Sequence, residues 1–290
     1  MLSALHQRLP FHPESVHSGR EAERRFRYGL ARALGGAVIF ALPLLMTMEM
    51  WQLGLTMGHG RLALLLLVTL PLLVGLSRLS GFELTGSWLQ DVVDAFVAYA
   101  VGVGASAIVL FIFGEIGFGM PVEAVVGKVT LQAVPASIGA LLAQSQFGQG
   151  DESDDLSAEG GSYWGELLVM AVGALFLAFN VAPTEEMIIL AYTMSAEAVV
   201  VLALLSLVVM HAFVYAVGFR GQESIPEGST PMHSFFTLTV VGYALVLLMS
   251  AYVLWTFGRF DGASAGVAVA TTVVLAFPAA IGAAAARLIL

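Results

Sequence analysis

The chain has 290 residues, 58% of them hydrophobic and 11% charged, with a formal net charge of −9. Soluble domains carry about 25% charged residues, and several apolar runs here reach the ~20 residues that cross a bilayer as a helix, so the composition excludes a soluble domain and implies an all-α, polytopic membrane protein. Short alternating strands are absent, which excludes a β-barrel, and with no cysteine there is no disulfide, thiol nucleophile or cysteine metal site.

Residues 1–28 are a polar basic segment with Arg8, Arg20, Arg24, Arg25 and Arg27, and with His6, His12 and His17 at spacings that match no ligand pattern. The segment reads as a solvated cytoplasmic tail ending in an interfacial helix from Glu21. It is not a cleavable signal, because its first apolar run follows the arginines and has full span length. Eight transmembrane helices are expected near 29–50, 61–79, 91–113, 122–144, 164–184, 196–218, 234–257 and 265–288. With the N-terminus inside, Arg24, Arg25, Arg27, Arg32, Arg78, Arg220 and Arg287 share one side, and Arg61 and Arg259 the other. The positive-inside rule then makes both termini cytoplasmic. Residues 146–163 carry Asp151, Glu152, Asp154, Asp155 and Glu159 among glycines and serines. They lack the turn glycine and closing glutamate of a calcium loop and read as a solvated linker.

The spans repeat. Thr47-Met48-Glu49-Met50 and Thr184-Glu185-Glu186-Met187 are 137 positions apart, and Gly36, Ala37, Ala41, Thr56 and Met57 meet Gly173, Ala174, Ala178, Thr193 and Met194 at the same offset. Tyr99-Ala100 and Phe113-Gly114 meet Tyr243-Ala244 and Phe257-Gly258 at offset 144. Pro135-Ala136-Ser137-Ile138-Gly139-Ala140 meets Pro278-Ala279-Ala280-Ile281-Gly282-Ala283 at offset 143. This pattern predicts two membrane repeats, 29–145 and 164–290, of four helices each. An even number of spans per repeat makes the two parallel, related by an axis along the membrane normal.

A glutamate in such an apolar setting is costly and usually has a partner or a task. Pro183 removes a backbone donor and clashes with the carbonyl four residues back, so a carbonyl is freed for another partner or an ion. Pro43 precedes the first motif in the same way, three residues earlier in register. Glu49 and Glu186, with Thr47, Thr184 and Asn180, make an oxygen-rich candidate site suited to a hard cation or a proton. The plain alternative is interfacial: Glu49 lies about 25 Å along a helix from Arg32, beside Trp51 at the membrane edge. His211 inside the sixth span reads as a proton relay or, more commonly for such a residue, as a hydrogen-bonded helix contact. Lys128 lies one turn from Gln132 and either snorkels to the interface, the commoner behaviour, or pairs with Glu115 or Glu123.

As a whole, the chain resembles the uncharacterised families of prokaryotic multi-pass integral membrane proteins, which implies a bacterial-type plasma membrane location and no assigned activity. Ala182-Pro183-Thr184-Glu185-Glu186 is also similar to the paired-glutamate motif of the prenyl-processing-type intramembrane proteases. That resemblance implies a water activated by Glu185 or Glu186 with help from His211. The arginine that follows the glutamates in that family is missing from Met187–Met194, the proline spacing is one residue short, and no phenylalanine precedes His211 at the family position.

The reading is therefore a transporter or channel for a small cation or proton, not an enzyme, with Glu49 and Glu186 as the ion ligands and Glu185 spare. The alternatives are a structural or partner-binding membrane protein, or a glutamate-dependent intramembrane protease. No nucleotide-binding motif or redox-ligand pattern is present, so no cofactor is expected. The expected partners are the lipid bilayer and the ion, not nucleic acid, and a homo-oligomer is left open.

Overall fold

The computed structural model describes residues 13–80, 88–147, 163–215 and 235–289. The acidic linker residues, His6, His12 and Arg220 lie outside them. Among the described residues there are helices and no strands. In chain order they are α1 (Pro13–Leu45), α2 (Met48–Thr56), α3 (His59–Ser80), α4 (Trp88–Ile112) and α5 (Val122–Phe147), then α6 (Tyr163–Val181), α7 (Glu185–Thr193) and α8 (Ala196–Tyr215), and last a π-helical turn (Phe235–Val240) running into α9 (Val241–Thr256), and α10 (Ala265–Ile289). Eight of these segments are long and apolar enough to cross a membrane, from Arg27–Leu45 to Ala265–Arg287. Their outward faces carry Ile39, Leu67, Phe96, Ile108, Val201 and Val208, each more than half exposed. Apolar exposure on that scale suits lipid, not water.

Two expectations change. The basic segment does not end in a separate interfacial helix; α1 runs unbroken from Pro13. The first and fifth spans stop at Leu45 and Val181, earlier than the hydropathy suggested, and the glutamates fall in separate nine-residue helices, α2 and α7. The cause is local. Thr47 and Thr184 take extended backbone as N-caps, and their amides bond to Leu44 and Val181 three residues back, not four. A continuous apolar run thus hides a helix break that hydropathy alone cannot see.

The two halves use the same turns. Met57 and Met194 end α2 and α7 with amides bonded to Leu53 and Leu190. Gly114 and Gly258 end α4 and α9 at φ of +77° and +73°. That left-handed conformation is open to glycine and closes a helix end by a backbone bond six residues long; here Glu115 donates to Leu110 and Arg259 to Leu254, both at 2.9 Å. α5 and α10 are the central helices, with 83% and 61% of their spans buried against 11% for α8. Small residues let their neighbours come close: Gly36 of α1 lies directly on Gly139 of α5, and Gly173 of α6 on Gly282 of α10. One core is built from α1, α3, α4 and α5. The other is centred on α6 to α10 and admits Leu44, Met50, Leu62 and Leu131 from the first half. Phe40 and Phe176, with ring centroids 4.1 Å apart, join α1 to α6.

Candidate functional site

The two helix breaks lie at the same end of the bundle, together with the start of α3 and the turns after α4 and α9. At the first break every carbonyl of the last turn of α1 has a donor. Thr47 donates its hydroxyl to Pro43, Gln132 of α5 donates to Leu44 at 3.1 Å, and the Trp51 indole donates to Leu45 at 2.8 Å. At the second break the donors differ. Asn180 donates to Phe176 at 2.7 Å and Thr184 to Val181 at 2.8 Å. Ala182 and Pro183 are capped by the guanidinium of Arg259, Ala182 from Nε at 3.3 Å and Pro183 from Nη2. A cation therefore sits at the break where the sequence placed an ion, on the Ala182 and Pro183 carbonyls, and it belongs to the chain itself.

Arg259 is half-buried, and this burial is the largest influence on its pKa, pushing it down; Glu185 and Glu49 push it back up. A guanidinium keeps its charge throughout, so Arg259 is a fixed cation on the second break, in the field of a carboxylate from each half. Glu49 is partly buried, whereas Glu185 and Glu186 are exposed. Register pairs Glu49 with Glu186, but it is Glu185 that acts on the shared arginine. Met50 and Met187, which follow the glutamates, are buried and anchor α2 and α7 to the bundle. Leu55, Ile189, Leu190 and Tyr192 on the same two helices are at least half exposed, as expected of short helices lying in a membrane interface.

Two further ion pairs flank this cluster. Arg61, at the start of α3, forks onto Asp261 with contacts of 2.7 and 2.6 Å and lies 5.3 Å over the Trp255 ring. It ties the first half to the turn between α9 and α10. The hydrogen bonds from Arg61 hold the Asp261 carboxyl below its usual range. A depressed folded-state pKa means that the contribution is fully present above the ordinary aspartate pKa of about 3.9 and is lost as the pH falls through the folded value. Arg61→Gln is expected to lower the melting temperature in detergent at neutral pH, and the gap to wild type to narrow as the pH falls below the ordinary aspartate range. A gap that persists at acid pH would contradict this origin.

Lys128 does not snorkel. It is 6% exposed and donates to the Glu115 carboxylate at 2.8 Å and to the Glu115 carbonyl at 2.9 Å. Gly54 of α2 packs directly on its backbone. His211 accepts or donates through Nδ1 with the Thr239 hydroxyl at 2.9 Å and meets the Phe235 ring edge-on. This is the helix-contact form, closing α8 onto the π-helical turn. His211 is 15 residues from the start of α8, or roughly 22 Å along the helix axis from the end where Glu185 begins α7. One water cannot bridge that span, so the residues of the protease-like motif are not brought together. Among the described residues no group of three or more His, Asp or Glu side chains is placed to hold a metal ion.

A family model of integral membrane proteins, DUF2391, matches residues 29–290, from the start of the first span through the last. The chain belongs to this family. No curated protein and no solved structure matches it. The family description names the membrane and no reaction, so for this DUF2391 protein chemistry has to be argued from the cluster. Sequence reasoning missed Arg259 and Asp261 as parts of it. The available signal was Arg259 itself, a cation on the sparsely charged side, directly after a glycine that the repeat singles out.

Proposed function

We propose that this protein moves a small cation or a proton across a bacterial-type plasma membrane, and that Glu49, Glu185 and Arg259 form its entry site. The supporting observation is that the second helix break already holds a cation. Arg259 rests on the Ala182 and Pro183 carbonyls, in the field of carboxylates from both halves. Carbonyls and carboxylates converging on one positive charge are the chemistry by which broken membrane helices receive cations.

We infer that the chain is a tandem duplication in parallel orientation. Equivalent turns, with equivalent backbone bonds at Thr47 and Thr184, Met57 and Met194, and Glu115 and Arg259, support that reading. With both termini cytoplasmic, the cluster faces outward. Flux in proteoliposomes tests the function. Glu49→Gln and Glu185→Gln are expected to lower it at least tenfold, and Glu186→Gln to leave most of it. Folded protein that moves no ion, or flux indifferent to all three changes, would sink the reading and leave a structural or partner-binding membrane protein.

A further inference from the structure

Building on the transport reading, we propose that the species moved is the proton and that Arg259 is the reason a metal ion is excluded. A metal such as calcium needs six to eight oxygen ligands, and magnesium close to six. Six carbonyls at the two breaks already have a donor from the chain itself. The carbonyls of Pro43, Leu44 and Leu45 are taken by Thr47, Gln132 and Trp51. Those of Val181, Ala182 and Pro183 are taken by Thr184 and Arg259. The threonine hydroxyls counted in the duplicated motif are both donated to their own helix ends. What stays free to exchange is the charge on the two carboxylates whose field reaches Arg259, and a carboxylate exchanges a proton without any coordination sphere.

The span interiors carry a second observation in the same direction. Serine and threonine in an apolar helix normally donate to the carbonyl one turn back. Thr69, Ser137, Ser206, Thr256, Thr271 and Thr272 all do so, bonding Leu65, Ala133, Leu202, Tyr252, Val267 and Ala268. Ser106 and Ser250 do not. They are 144 positions apart, at the same place in α4 and α9; both are 0% exposed, and neither hydroxyl has a hydrogen-bond partner. Leaving such a group unpaired costs about 1–3 kcal/mol, so finding it in both copies marks a position kept polar for a reason. A free hydroxyl accepts one proton and gives up another; as a lone oxygen it is a poor metal ligand. These serines are the interior steps of the proton's route.

The test is full-length protein in liposomes loaded with a pH-reporting dye, with thiocyanate as permeant anion and N-methylglucamine as the only added cation. An imposed pH gradient is expected to collapse at least tenfold faster than in protein-free liposomes, and Glu49→Gln or Glu185→Gln to remove that gain. Ser106→Ala and Ser250→Ala are expected to slow proton movement severalfold while leaving the melting temperature unchanged or raised, which a merely structural serine would not do. If the pH gradient holds but sodium, potassium or calcium tracer enters, the proton assignment fails and the transport reading stands. If neither protons nor metal ions move, both fall. Proton flux unaffected by the serine changes overturns the interior route.

Discussion

Lys128→Met is expected to destabilise the protein by about 3 kcal/mol, the lower end of the range for breaking a buried ion pair. Lys128 holds its ammonium 7% exposed against a Glu115 carboxylate that is 25% exposed. Methionine keeps most of the side-chain volume, so the loss is electrostatic. Glu115 follows Gly114, which ends α4, and its carboxylate and carbonyl both depend on the same ammonium. Without Lys128 two acceptors lose their donor, one of them charged. The quarter exposure of Glu115 lets water recover part of the cost, which is why the low end of the range applies. Adding Glu115→Met should restore most of the loss, since an apolar pair of similar volume often replaces a buried salt bridge without penalty. Thermal unfolding in detergent, followed through tryptophan fluorescence, measures all three proteins. A single variant within about 1 kcal/mol of wild type, the level of an exposed pair, would mean that the pair is wet and contributes little.

That pair shows how far the sequence reached. Composition and run length announced eight membrane helices, because a bilayer sets span length and polarity with little help from tertiary contacts. The repeated Pro-Ala-x-Ile-Gly-Ala segments fall in α5 and α10, whose central place only the packing shows, and close packing in lipid suits such small residues. The helix breaks after Leu45 and Val181 were hidden, as they rest on two hydrogen bonds inside an apolar run and not on a change of polarity. Lys128 and Arg259 were read by habit, one as a snorkelling lysine and one as an orientation marker. Their partners sit in turns defined by Gly114 and Gly258, and a turn's direction is not written in hydropathy. Glu185 is spare in the register, because its counterpart 137 positions earlier, Met48, is not acidic. The register compares positions within each half, whereas Arg259 lies in the field of one carboxylate from each half and is indifferent to register.

Gly36→Ala and Gly173→Ala are each expected to destabilise by about 3 kcal/mol, the upper end of the range for overfilled cores, while Gly35→Ala is expected to be neutral or stabilising. A Cβ on Gly36 would meet the Gly139 carbonyl, and a Cβ on Gly173 the Gly282 carbonyl. These are backbone atoms of another helix. A crowded side chain can rotate away, but a backbone carbonyl moves only with its helix, so α1 must part from α5, or α6 from α10. The cost is then lost contact along the whole crossing. At Gly35 nothing lies within 4 Å of the added carbon, and alanine is the better helix former by about 1 kcal/mol. Neighbouring residues on one helix thus give opposite outcomes under the same chemical change, so a general effect of glycine removal cannot account for both. Equal losses at Gly36 and Gly173 would also mean that the two halves rest on equivalent crossings, as a duplicated fold requires. A loss at Gly36 with none at Gly173 would leave the first half alone dependent on close helix contact. The second half would then hold together through Arg259 and the turns around it.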